Sequence, residues 1–204
     1  MLHPIFALIL CGNIIEVATL IQNDPEAFRV KHDGWYNSSP LVYASKHGRV
    51  KICKLLLDNG ASVQEVNDLK STALHECCRE GHLELAKLLL QHGASIHKVD
   101  KKNRTPLHLA AEYGHYDILA WVLENYNFDM KMKSVQGDTI LHKAAMNGHS
   151  DCCSVILRHH PDINVKNNIG WTPLAIACQT GDIGTVRLLL QHGARVSYDS
   201  WRLK

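Results

Sequence analysis

Apolar residues recur along this chain in pairs of short runs, with a glycine between the two runs of a pair. Leu107, Ala110 and Ala111 precede Gly114, and a second apolar run extends from Tyr116 to Leu123. The first run predicts a short helix whose small residues let neighbouring helices approach closely, and the second run predicts a helix after the glycine turn. Leucine triplets mark the second run elsewhere, at 55–57, 88–90 and 188–190. The pattern therefore predicts an all-α chain of helix pairs.

The helix pairs belong to an internal repeat of 33 or 34 residues. Five tetrapeptides mark it, beginning at Ser39, Thr72, Thr105, Thr139 and Thr172, and each is followed nine residues later by a glycine. In the regular copies Gly-Ala closes the unit, at 60–61, 93–94 and 193–194. One such pair cannot bury its apolar face alone, so stability requires a stack of about three or more units.

A sixth, degenerate copy opens the chain. His3-Pro4-Ile5-Phe6 stands at the tetrapeptide position, Gly12 at the glycine position, and 14–21 at the second helix. This copy lies 36 residues before Ser39, so the loop after it carries a three-residue insertion. We expect it to cap a single domain, residues 1–204, with units at approximately 1–33, 34–66, 67–99, 100–133, 134–166 and 167–204.

The tetrapeptides, glycines and second apolar runs, in register five times, resemble the ankyrin family. A tetratricopeptide array has a similar period but different landmarks. The resemblance implies an all-α ankyrin-repeat solenoid of about six stacked helix-turn-helix units with projecting β-hairpin-like fingers, such as 97–104. The residues agree, because Thr105 can cap a helix and Pro106 suits its first turn.

Histidines and cysteines are numerous, but their spacing favours structural roles. His75, His108 and His142 stand in the tetrapeptide, where the resemblance implies hydrogen bonds to neighbouring backbone. His82, His115 and His149 follow the turn glycine with the same period. The seven cysteines include the adjacent pairs 77–78 and 152–153, which fit neither a disulfide framework nor paired zinc motifs. We therefore expect reduced thiols in the core, no metal and no cofactor.

The composition excludes several classes of function. The formal charge of +2 is too small to imply nucleic acid or an acidic membrane by field alone. No apolar stretch approaches the roughly 18 residues of a spanning helix, and the run Ile5–Cys11 is short and lacks a basic leader. We find no phosphate loop, nucleophile elbow or acid–base pair, so we expect no enzymatic activity. The thiols indicate a cytoplasmic or nuclear protein.

In the ankyrin family, partners contact the finger tips and the exposed end of each first helix, on the concave side. The resemblance therefore implies partner-binding roles for Trp35, Tyr36, Arg79, Lys101, Lys102, Arg104, Glu112, Tyr113, Gln136, Met146, Ile169 and Trp171. Aromatic residues and arginine dominate interface hot spots, whereas Trp121, in a second helix, is expected in the core. Because basic residues cluster on the fourth finger, we expect the interface at the fourth and fifth units and an acidic stretch on the partner.

The leading hypothesis is thus a protein–protein interaction module: a scaffold, adaptor or effector. One alternative is sensing of a small ligand or single-stranded nucleic acid on the same face, and another is a recruitment domain of a longer enzyme. Ten residues after Ala194 resemble the opening of another linker, so either the chain belongs to a longer protein or the tail with Trp201 covers the end. The resemblance also permits hydroxylation of Asn164.

Overall fold

The computed structural model describes residues 3–196, and the predictions about Trp201 and its neighbours lie outside this range. The chain forms two compact units, Met1–Lys101 and Lys102–Lys204, called here the N-terminal and C-terminal units. Within residues 3–196 there are twelve α-helices, one 3-10 turn and no regular strand. The all-α prediction is therefore confirmed.

The N-terminal unit contains three helix pairs. They are α1 (Pro4–Cys11) and α2 (Ile14–Asn23), α3 (Pro40–Lys46) and α4 (Val50–Asp58), and α5 (Ala73–Glu80) and α6 (Leu83–Gln91). The first helices α1, α3 and α5 pack side by side, and so do the second helices α2, α4 and α6. A 3-10 turn at Ala27–Arg29 lies in the loop that carries the predicted insertion.

The C-terminal unit repeats this two-layer arrangement. Its pairs are α7 (Pro106–Tyr113) and α8 (Tyr116–Asn125), α9 (Ile140–Met146) and α10 (Ser150–Leu157), and α11 (Pro173–Thr180) and α12 (Ile183–Gln191). Helices α7, α9 and α11 pack in order, and α8, α10 and α12 form the second row. Helix α8 extends two residues past the predicted run because Glu124 and Asn125 continue its hydrogen bonding to the cap at Tyr126.

The tetrapeptides start the first helices as predicted. The Thr105 hydroxyl accepts a hydrogen bond from the His108 amide at 3.3 Å, and His108 Nδ1 accepts one from the Thr105 amide at 3.2 Å. This reciprocal cap satisfies two amides that lack partners within the helix. The same reciprocal cap begins α5 and α9.

The degenerate first copy also forms a helix pair. His3 caps α1 through its ring, and Gly12 ends the helix in a left-handed conformation, with φ of 75°. Ile5, Phe6 and Ile9 are fully buried. The apolar start of the chain is thus part of the core, where α1 packs against α2 and α3.

Tight turns rather than strands form the predicted fingers. In one of them the Ser134 amide donates to the Asp138 carbonyl at 2.8 Å, and Gly137 has a φ of 80°. Neighbouring tips are joined by backbone hydrogen bonds from Asp68 to Tyr36, Lys101 to Leu69, Val135 to Lys102, and Asn168 to Gln136, each 2.8 to 3.0 Å long. These bonds fix each finger against the next within its unit.

Two of the three histidines that follow a turn glycine confirm the structural interpretation. His82 Nε2 lies 3.2 Å from the Lys46 carbonyl oxygen, and His149 Nε2 lies 3.2 Å from that of Glu112. The tetrapeptide ring of His142 likewise lies 3.1 Å from the Trp171 carbonyl oxygen. Each ring therefore ties one repeat to the next.

Five of the seven cysteines are buried, and all seven thiols are free. Burial raises the pKa of Cys53, Cys152 and Cys153 to about 12. These thiols remain protonated at neutral pH and fill space between helices.

Candidate partner-binding face

The C-terminal unit exposes four large apolar side chains at finger tips and at the ends of first helices. Val135 and Ile169, at finger tips, are 58% and 59% exposed. Tyr113 ends α7 with 50% exposure, and Met146 ends α9 with 38%. We call these four residues, with Lys102 and Gln136 of the finger tips, the first-helix face. It combines an aromatic and a flexible thioether side chain, both common at binding surfaces.

Arg104 does not contribute to this exposed surface, contrary to the sequence-based expectation. Its side chain is 11% exposed and pairs with Glu112 at 2.9 Å, so it runs along α7 instead of projecting from the finger. The predicted contact residues Arg104 and Glu112 thus neutralise each other beneath the face. Replacing either residue with a neutral one leaves a partly buried charge without its partner.

A second ion pair lies under the fifth finger. Asp138 is 2% exposed and pairs with Lys143, 8% exposed, at 3.2 Å. The Asn167 side-chain amide donates to the same carboxylate at 2.8 Å. Sequence reasoning missed Lys143, which occupies a position taken by Leu109 and Ile176 in neighbouring copies. A lysine at a position that is apolar in the two neighbouring copies, five residues after an aspartate, was the available signal.

Of two further predicted contact residues, Gln136 lies at the surface and Trp171 is partly buried. Gln136 is exposed at its finger tip, and its carbonyl accepts the Asn168 amide at 3.0 Å. Trp171 is only partly exposed, and its indole nitrogen is buried without a hydrogen-bond partner. The ring of Trp171 therefore belongs mainly to the base of its finger.

Trp121, expected in the core, is partly exposed and lies against Tyr126, with ring centroids 5.8 Å apart.

In the N-terminal unit, the two predicted aromatic residues belong to a ring cluster. Trp35 lies 6.0 Å from Tyr36 and 5.8 Å from Tyr43, measured between centroids. Lys46 places its ammonium 4.5 Å from the Trp35 centroid, a cation–π contact. Tyr36 is half exposed with a φ of 51°, a left-handed conformation that is costly for a bulky residue. One face of Trp35 is thus already occupied by a cation of the chain itself.

The remaining predicted contacts of the N-terminal unit are both cations. Arg79 pairs with the fully buried Glu76 at 2.8 Å, with its own side chain 20% exposed. Burial raises the pKa of the Glu76 carboxyl, and Arg79 opposes that shift. Lys101, at a finger tip, is exposed. Of these two, Lys101 presents its charge to solvent, whereas Arg79 compensates an internal carboxylate.

The basic cluster of the fourth finger is therefore weaker than its sequence indicates. Besides Arg104, Lys98 donates to the Gln64 carbonyl at 2.7 Å. On the next finger, Lys133 donates to the Lys166 carbonyl at 3.0 Å. Much of the positive charge is engaged with the backbone or with a carboxylate.

Membrane-spanning helices and metal sites were also sought among the described residues. Within residues 3–196, no helix is long and apolar enough to span a bilayer. In the same range, no group of three or more histidine, cysteine, aspartate or glutamate side chains is placed to hold a metal ion.

Comparison with known proteins shows matches to ankyrin repeats along most of the chain. A family model for three ankyrin repeats matches residues 63–134 and 123–199, and one for a single ankyrin repeat matches 36–68. Ankyrin repeat domain-containing protein 13C of Danio rerio is 39% identical over 72 residues, 35% of this chain and 15% of that protein.

Two other relatives match this chain over different lengths. A Caenorhabditis elegans homologue of transient receptor potential cation channel subfamily A member 1 is 34% identical over 163 residues, 80% of this chain and 11% of that protein. Protein phosphatase 1 regulatory subunit 27 of Mus musculus is 39% identical over 79 residues, 35% of this chain and 51% of that protein. The matches thus cover about half or less of each of these relatives.

The family models cover far more than half of the chain, and the helix pairs, capping histidines and turn glycines lie where the repeat requires them. Ankyrin repeats are typically non-catalytic modules of stacked helices that bind other proteins. This chain belongs to the ankyrin-repeat family.

Proposed function

We propose that the chain is a protein-interaction module that holds a partner protein against the first-helix face of its C-terminal unit. The observation that carries this proposal is the group of four exposed apolar side chains, Tyr113, Val135, Met146 and Ile169. Exposed apolar side chains grouped at one face of a folded protein mark interaction sites. The mouse relative named as a regulatory subunit of a phosphatase is consistent with a partner-binding role for repeats of this kind.

The charges beneath the face support a proposal about the partner's chemistry. Arg104 and Asp138 are paired with Glu112 and Lys143, so the floor is polar but nearly neutral. Lys102 at the finger tip remains exposed and supports the proposed acidic stretch. Favourable binding would therefore come mainly from burial of apolar side chains, at about 25 cal/mol per Å². We accordingly propose a partner segment with apolar side chains and a flanking acidic residue.

The same charges argue against single-stranded nucleic acid as the partner. Such sites combine a continuous cationic groove with aromatic stacking surfaces. Here the Lys46 ammonium covers one face of the Trp35 ring, and the charge of Arg104 is neutralised by Glu112. Neither pair of groups is arranged to follow a phosphate backbone.

A matched pair of variants tests the proposal. Tyr113→Ala with Ile169→Ala removes apolar surface from the first-helix face, and Tyr116→Ala with Ile183→Ala removes similar side chains from second helices. All four residues are at least half exposed, so the variants should keep the fold. Arg104 is left intact, because its removal would leave the Glu112 carboxylate without its cation. A loss of binding could then reflect a loss of stability.

The full chain and both double variants are immobilised and used to capture partners from cell extract, with quantitative mass spectrometry as the readout. Proteins retained by the wild type and by Tyr116→Ala with Ile183→Ala, but lost with Tyr113→Ala and Ile169→Ala, support the proposal. Each is then checked with purified protein by calorimetry, where at least about a ten-fold loss of affinity is expected. Equal retention by the two double variants contradicts the proposed face.

A further inference from the structure

The turns that close the second helices are regular in some copies and altered in two. In three regular copies the closing residue is a left-handed glycine, with φ of 92° at Gly60, 83° at Gly93 and 86° at Gly193. In the fifth copy the equivalent residue is His160, with φ of 51°, followed by Pro161. A non-glycine residue in this conformation costs about 1 kcal/mol or more, and such strain is concentrated at binding sites.

The closing turn of the fourth copy is altered in a different way. Helix α8 ends at Asn125, and Tyr126 is extended, with φ of −132° and ψ of 144°. The segment to the next tetrapeptide is one residue longer than in the regular copies, and Phe128 replaces the alanine of Gly-Ala. The chain therefore leaves α8 without the tight turn that the regular copies use.

A cavity of about 310 Å³ lies between the segments that follow these two altered turns. It is lined by Met130, Lys131, Lys133, Thr139, His160, Pro161, Asp162 and Val165. Its volume corresponds to about ten water molecules in the liquid and lies at the lower end of the range for small-molecule sites. None of these lining residues belongs to the first-helix face, so the cavity is a separate feature of the C-terminal unit.

The walls combine an apolar surface with a few fixed polar groups. Met130, Pro161 and Val165 provide the apolar part. The Thr139 hydroxyl is already engaged in the cap of α9, since its oxygen lies 2.9 Å from His142 Nδ1. Predominantly apolar walls with few polar groups are typical of sites for small organic ligands.

The charges of the lining favour an anion. The Lys133 ammonium donates a hydrogen bond to the Lys166 carbonyl at 3.0 Å, and the backbone amide of Lys131 donates one to the Asp129 carboxylate at 2.9 Å. The lining carboxylate, Asp162, accepts a hydrogen bond from the Asn164 backbone amide at 3.1 Å. The lining thus contains two lysines and one aspartate, and the aspartate carboxylate already accepts a hydrogen bond. The volume and apolar walls suit an uncharged ring or short alkyl chain attached to the anionic group.

We propose that this cavity binds a small organic monocarboxylate, with its apolar body against Met130, Pro161 and Val165 and its carboxylate at Lys131 and Lys133. The site goes beyond the proposed protein-binding face and uses residues that face does not contain. It gives a role to the lining lysines, and the strained residue His160, which stands where the regular copies have glycine, lines the same cavity.

The test uses the uniformly ¹⁵N-labelled full chain, titrated with 3-phenylpropionate and, separately, with the uncharged 3-phenylpropanamide. These probes share a carbon skeleton and differ in charge. We expect amide shift changes confined to residues 129–134 and 159–166, with a dissociation constant of about 1 mM for the carboxylate. The amide should bind at least about five-fold more weakly, since it lacks the charge-assisted hydrogen bonds.

The variant Lys133→Met removes one ammonium group and keeps the side-chain length, and Lys54→Met is the control because Lys54 pairs with Asp58 on α4. Lys133→Met should reduce the preference for the carboxylate to below about two-fold, whereas Lys54→Met should leave it unchanged. Three results would overturn the proposal: no shift changes up to about 10 mM, changes centred elsewhere, or equal affinity for both probes in the wild type.

Discussion

Replacing Lys143 should destabilise the C-terminal unit because it leaves a buried carboxylate without its cation. Asp138 is 2% exposed and lies 3.2 Å from Lys143, and its other principal side-chain contact is the Asn167 amide at 2.8 Å. Breaking a buried ion pair from one side costs about 3 to 5 kcal/mol. Since Asn167 continues to stabilise the carboxylate, we expect Lys143→Met to cost about 3 kcal/mol, or about 6 to 12 °C in Tm.

The double variant Asp138→Asn with Lys143→Met separates this penalty from a simple loss of packing. The asparagine retains an oxygen that accepts the Asn167 amide, and no buried charge remains. We therefore expect its free energy of unfolding to lie within about 1.5 kcal/mol of the wild type. Urea titration followed by circular dichroism measures the free energy of unfolding of the wild type, Asp138→Asn, Lys143→Met and the double variant, which together form a double-mutant cycle. The reasoning is refuted if Lys143→Met costs less than about 1 kcal/mol, or if the double variant is as unstable as the single one.

Three further variants test local features of the fold by the same urea titration. Gly137→Ala should cost at least about 1 kcal/mol more than Gly170→Ala, since both have φ near 80° but only the Cβ at Gly137 would meet the Asn168 amide nitrogen, at 2.7 Å. An equal cost for the two variants would contradict this prediction, because the neighbouring finger would then move to accommodate the added Cβ. His160→Gly should raise the free energy of unfolding by up to about 1 kcal/mol by relieving the left-handed strain, whereas His159→Gly should lower it. Burial lowers the pKa of His142, so the unfolded chain binds its proton more readily. Stability should therefore fall as pH drops through about 6.5, and His142→Asn should reduce that fall. An unchanged pH dependence would contradict this assignment.

The repeat made much of the fold predictable from the sequence. Thr105, His108 and Gly114 define where α7 begins and ends through local hydrogen bonds and one left-handed residue, and such interactions depend on residues close in the chain. The same argument correctly placed the degenerate first pair. It also identified His142 as structural, because its spacing is that of the repeat.

The candidate site was less predictable, because exposure depends on what the next repeat brings to each side chain. The sequence places Arg104 and Lys102 two positions apart on one finger, yet Arg104 is buried by its pair with Glu112 while Lys102 is exposed. The cavity beside His160 likewise requires two loops about thirty residues apart in the chain. The sequence by itself determined the helix pairs, their caps and their order, since these follow from local chemistry repeated at a fixed interval. Tertiary structure alone decided which charges are neutralised and which apolar side chains remain at the surface, because both depend on contacts between repeats.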